Sequence, residues 1–141
     1  MKKYAAALLG AIFIFTAALW AGEGERLFDE KCLMCHIKER PTPEIRPQLV
    51  APPAMGVMFH VKSAFGDDRA AALAFIKEYV VNPDAAKAKC MPQSLSRFGV
   101  MPSQKGSVTE AELELICDYL YDNFPPAGFG HGPGPNARSG S

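Results

Sequence analysis

Cys32-Leu33-Met34-Cys35-His36 puts two thiols and an imidazole at positions i, i+3 and i+4. On a helical turn those positions share one face. Three kinds of chemistry use such a set. C-x-x-C-H is the attachment pattern for c-type haem: the thiols add to two vinyl groups along one side of the porphyrin, and the neighbouring imidazole reaches the iron. Leu33 and Met34 point away, and Met34 cannot reach the iron's other side. A zinc site is the second possibility, since it wants four N/S ligands and Cys90 or Cys117 could complete Cys32, Cys35 and His36. A dithiol redox pair is the third, but it needs C-x-x-C beside a βαβ unit. No segment here alternates apolar and polar residues long enough to suggest a strand. A Cys32–Cys35 disulfide fits poorly on a helix. The histidine directly after the second cysteine and the helical surroundings favour haem, one haem c per chain because the motif occurs once.

A low-spin iron held by His36 needs a second axial ligand, and a thioether raises the reduction potential relative to a second imidazole. Met55, Met58, Met91, Met101 and His60 are the candidates. Met91 and Met101 are each followed by proline, which stiffens a loop. Met55 and Met58 read as packing residues, a common use of methionine in cores. His60 would give a bis-histidine iron.

The elements that must position these groups are helices. Thr109 and Glu112 form a T-x-x-E capping box, and Leu113, Ile116, Cys117, Leu120 and Phe124 recur at helical spacing. The pattern predicts a helix from Thr109 to Asn123, stopped by Pro125 and Pro126. A second helix is expected from Asp67 to Val81, with Phe75, Ile76 and Tyr79 on its apolar stripe. A third runs from about Glu23 to Cys35, contributing Leu27 and Phe28. A short one is expected between Pro53 and Ala64. Arg40 to Pro53 carries Pro41, Pro43, Pro47, Pro52 and Pro53, so it reads as an ordered, non-helical wrap over a core that something else must supply. The expectation is an all-α domain of about four helices over 22–124.

With 141 residues the chain has the length of one domain. Its 15 basic and 15 acidic residues balance, which gives no basic face for a nucleic acid. Lys2 and Lys3 precede an apolar run from Ala5 to Trp20, broken only by Thr16, and then Ala21-Gly22. That order reads as a signal peptide over 1–21, cut after Ala18 or Ala21, or as an uncleaved membrane anchor. Both readings place the domain outside the cytoplasmic membrane, in the periplasm, slightly acidic once Lys2 and Lys3 are discounted. Pro125 to Ser141 is made of Pro, Gly, Ser and other weakly burying residues, so a disordered tail is expected, with His131 solvated inside it.

The stretches GERLFDEKCLMCH (24–36) and VMPSQKGSVTEAELELICDYLYDNF (100–124) resemble the N-terminal helix and the sixth-ligand loop with C-terminal helix of class I monohaem c-type cytochromes. The resemblance covers the expected globular part and implies the cytochrome c fold around one covalently bound haem. It implies that the first and last helices cross at Gly24, with Phe28 before the first cysteine and Leu120 or Tyr121 facing them. It implies Met101 as the sixth ligand, since a Met-Pro loop leads into the last helix. Met91 remains the rival, at the cost of an unusually long loop. The implied function is single-electron transfer between periplasmic or membrane redox partners, without substrate chemistry. The competing expectation is a haem subunit or enzyme of a respiratory complex with a labile distal ligand. Cys90 and Cys117 form either a disulfide, as suits an exported domain, or no bond, with Cys117 a small buried residue. Lys87, Lys89 and Lys105 flank the Met101 loop and would steer an acidic partner. Arg46 and Arg97 are candidates to pair with the haem propionates.

Overall fold

A computed structural model describes residues 22–130. The export segment expected over 1–21 and residues 131–141 of the expected tail, His131 included, lie outside the described residues. Helix α1 covers 22–31. After it come a 3-10 turn at Arg46–Gln48, α2 at Ala54–Phe65, α3 at Arg69–Val81, α4 at Pro92–Phe98 and α5 at Glu110–Asn123. The chain is all-α: among the described residues the only β pairing is an isolated bridge between Lys105 and Val108. None of the described helices is long and apolar enough to cross a membrane.

The helix ends follow local chemistry. At α5 the Glu112 N–H donates to Thr109 Oγ1 (3.2 Å), and the Thr109 N–H donates back to Glu112 Oε2 (2.8 Å). Both donors would otherwise lack a partner in the helix's first turn. Thr109→Ala is expected to cost about 1 kcal/mol, read as a lower denaturant midpoint at unchanged slope. Helix α3 is capped by Asp68, whose Oδ1 accepts the Ala71 N–H at 2.9 Å, one residue past the expected Asp67. Helix α2 fills the span expected between Pro53 and Ala64 and ends one residue later, where Gly66 takes φ 58°, a backbone state that glycine adopts without a Cβ clash. Helix α4 is an addition to the sequence reading. Pro92 sits at its first position and Gly99, at φ 73°, closes it, but it has no buried residue and hence no apolar stripe to betray it.

The core forms where α3 lies against α5 and α2 crosses both. Phe28 from α1, Met58 from α2, Ala72 from α3 and Ile116 from α5 meet there. Helix α1 approaches α5 closely at Gly24. A Cβ on Gly24 would lie 2.9 Å from the Tyr119 Cβ and against the Leu115 carbonyl. The expected crossing at Gly24 is present, but Leu115 and Tyr119 face it rather than Leu120 or Tyr121. The phase of α5 carries Tyr119 toward α1 and leaves its ring 5.9 Å from that of Phe28.

The ordered domain also runs past 124, where the sequence reading placed the start of a disordered tail. Phe129 packs 5.7 Å from the Phe59 ring of α2, with the Arg40 guanidinium 5.0 Å from its centroid. One aromatic ring with partners on α2 and the wrap outweighs a Pro/Gly-rich composition over 125–130.

Candidate functional site

Helix α1 ends at residue 31, and the C-x-x-C-H motif follows as a turn rather than a continuation of the expected helix to Cys35. The Cys35 and His36 N–H groups both donate to Cys32 O, at 3.1 and 2.9 Å. This closes one turn that carries all three candidate groups. Cys32 is half-buried against the core, and Cys35 is exposed.

His36 is fixed from its far side. Its Nδ1 lies 2.8 Å from Pro52 O. A carbonyl oxygen only accepts, so Nδ1 carries the proton and donates, and the Nε2 lone pair is left available. Burial pushes the His36 pKa below its ordinary value, against the opposing effect of the Pro52 bond. At neutral pH the ring is therefore neutral, the form that can ligate a metal. The neighbouring backbone is held as well, since the Ala54 N–H donates to Ile37 O at 2.9 Å. Lys38 then clamps the segment onto α1: its Nζ lies 2.9 Å from Glu25 Oε1 and 2.7 Å from Asp29 Oδ1. Tyr119 of α5 donates to the same Glu25 oxygen at 3.1 Å. The Lys38 pKa is raised by its bonds to Asp29 and Glu25, and Glu25 is held below its usual value by the bonds from Lys38 and Tyr119.

The thiols separate the rival chemistries. Burial, with Cys35 alongside, pushes the Cys32 thiol up to about 11, whereas a redox-active dithiol works through a lowered pKa. All four cysteines are free, and among the described residues no three His, Cys, Asp or Glu side chains converge to hold a metal ion. The zinc tetrad with Cys90 or Cys117 is not assembled. Covalent haem makes no such demand, because its cysteines bond carbon and only the imidazole ligates. The Cys90–Cys117 disulfide is absent too. Cys117 is 1% exposed in the core, its thiol pushed up by burial to about 12, and serves as a small apolar residue; Cys90 lies in the loop before α4.

Among the sixth-ligand candidates, Met55 and Met58 are buried in α2, Met58 completely. His60 is half-buried on α2. Met91 is 42% exposed and caps α4. Met101 is half-buried in the segment between α4 and α5. Lys31, directly before Cys32, ties the motif to that segment: its Nζ lies 3.2 Å from Ser107 O and 3.3 Å from Glu112 Oε1. Of the three lysines expected to flank the Met101 loop, Lys87 pairs with Glu78 at 2.8 Å and Lys89 lies over the Phe65 and Phe75 rings. Lys105 stands at the turn before Val108. Arg97 of α4 donates to Arg46 O on the wrap. Neither arginine forms an ion pair among the described residues.

An uncharacterized protein of Aquifex aeolicus (strain VF5) is 33% identical to the chain over 114 residues, spanning 72% of this chain and 74% of the relative. The chain belongs to that protein's family. No family model matches it, and no solved structure matches it significantly. Kinship with the Aquifex protein brings no activity with it, so the reading of the site rests on its geometry.

Sequence reasoning missed Pro52 and Lys38 as parts of the site. A backbone carbonyl acceptor leaves no mark in a sequence. Lys38 had a faint one, because Glu25 and Asp29 stand one helical turn apart on α1, two carboxylates for one cation.

Proposed function

We propose that this protein is a periplasmic monohaem c-type cytochrome that carries single electrons between redox partners. The observation that carries the reading is the hydrogen bond from His36 Nδ1 to Pro52 O. It selects the tautomer and ring orientation that an axial imidazole needs, in a neutral side chain directly after two free thiols. The wrap supports it as well: no residue from 37 to 53 is fully buried, so the protein alone gives this proline-rich segment little to fold against.

Cys32 and Cys35 would hold the porphyrin through thioethers, and His36 Nε2 and Met101 Sδ would ligate its iron. Arg46 and Arg97, cations without a carboxylate partner among the described residues, would face the propionates. Bound there, the haem supplies an iron that takes up and releases one electron. The chain's own residues do the rest. Pro52 and the Lys38 clamp keep the imidazole from turning, which limits reorganisation between redox states. Phe28 and the α2 methionines exclude water. Held by His36 and Met101 together, the group would offer no open position to a substrate, which favours a carrier over an enzyme.

The test is spectroscopic. Protein made in a host competent for c-type maturation should show the charge-transfer band of a methionine-ligated ferric haem and no spectral change when carbon monoxide meets the reduced form. Met101→Ala is expected to abolish the band, and Met91→Ala to leave it intact. Loss of the band in Met91→Ala would transfer the ligand to α4. Carbon monoxide binding by the parent would favour the labile-ligand alternative.

A further inference from the structure

The chain immediately after Met101 is fastened to the end of another helix. The last carbonyls of α3 lack partners within the helix, as at any helix C-terminus. Two of them are taken by the Met101 segment: the Gln104 N–H donates to Val80 O at 2.9 Å, and Ser103 Oγ donates to Val81 O at 2.6 Å. Ser103 Oγ also accepts the Lys105 N–H at 3.2 Å, so a single hydroxyl joins α3 to the turn beyond. That turn closes through the Ser107 and Val108 N–H groups onto Gln104 O, at 2.9 and 3.3 Å, around Gly106 at φ 84°. Pro102 removes a backbone freedom between Met101 and this anchor. Met91 has no comparable fixture; its carbonyl takes the Ser94 N–H at 2.9 Å as an ordinary helix start.

We infer that Ser103 is a positioning residue for the axial thioether: by pinning the loop to Val81 O it restrains Met101 and sets how readily an external ligand displaces it. The inference rests on the haem reading above. A thioether is a weak ligand, so its hold depends on the backbone that presents it. Releasing Ser103 Oγ frees that backbone and leaves the Val81 carbonyl to water. The anchor is solvent-exposed, so its loss acts on the loop and hardly on the core.

The experiment titrates the ferric holoprotein with imidazole in the parent, Ser103→Ala and Ser103→Thr, following the methionine charge-transfer band, with urea midpoints measured alongside. Ser103→Ala should bind imidazole about threefold to tenfold more tightly, the equivalent of one net hydrogen bond. Ser103→Thr, which keeps the hydroxyl, should stay near the parent in both readouts, while Ser103→Ala should also lower the urea midpoint by the equivalent of that one bond. A band that depends on Met101, with equal imidazole affinity in parent and Ser103→Ala, overturns the inference alone. A parent without covalent haem, or a band that survives Met101→Ala, overturns the haem or ligand reading and the inference with it.

Discussion

Cys32→Ala combined with Cys35→Ala should yield a chain with no covalently bound haem and a wrap that no longer holds its shape. The first outcome follows from the chemistry, since the two thiols are the only groups at the motif that can form thioethers. The second follows from packing. Residues 37–53 carry five prolines and no fully buried side chain. They are held mainly by directional contacts: His36 to Pro52 O, Ala54 N–H to Ile37 O, Lys38 to Glu25 and Asp29, Arg40 over the Phe129 ring, Arg97 to Arg46 O, and the turn bonds onto Thr42 O, Ile45 O and Arg46 O. Ordering a residue's backbone costs about 1–2 kcal/mol, and a net hydrogen bond returns about 1 kcal/mol, so these contacts do not sustain seventeen residues without buried apolar area. A porphyrin face under the wrap would supply that area. Haem staining after denaturing electrophoresis should fall from a strong band to none. Limited proteolysis should cut the double variant between Ile37 and Pro53 at protease levels that spare the parent. A parent that never stains, or a wrap equally resistant in both proteins, would break the link between cofactor and wrap.

What was legible beforehand follows the same division between side-chain pattern and backbone contact. Helices α3 and α5 could be read because the acidic pair after Gly66 and the Thr109–Glu112 pair mark their starts to within a residue and their apolar stripes recur over several turns. Helix α4 is too short and too exposed to leave a stripe, and only Pro92 and Gly99 bracket it. The motif residues were legible by type, and Gly24 only through the family resemblance. The partners of both were not, because they are set by the phase of α5, which brings Tyr119 to the crossing, and by the carbonyl of Pro52. Phe129 was lost in the average composition of its surroundings. Cys117 was ambiguous between bond and packing until its burial in the core as a free thiol gave it a packing role.

The α1–α5 crossing yields the second large effect, and it separates fold from cofactor. A Cβ at Gly24 would meet the Leu115 carbonyl and stand 2.9 Å from the Tyr119 Cβ. Neither obstacle is the end of a flexible side chain, so α1 and α5 must move apart. Several contacts open with that movement: Phe28, 2% exposed, against Tyr119, the Tyr119 ring 5.8 Å from Phe124, and the bond from Tyr119 to Glu25 that braces Lys38. Gly24→Ala should cost about 1–3 kcal/mol, the usual range for overpacking, and Gly24→Val more. Gly56, inside α2, has nothing within 4 Å of its added Cβ. Gly56→Ala should therefore stabilise by about 0.5–1 kcal/mol through helix propensity and a less flexible unfolded chain. The same substitution thus carries opposite signs at two helical glycines, measurable as denaturant midpoints on proteins of matched haem content. Equal shifts at the two positions would mean that α1 and α5 do not touch at Gly24. The turn that aims Cys32, Cys35 and His36 would then lose its support from α5.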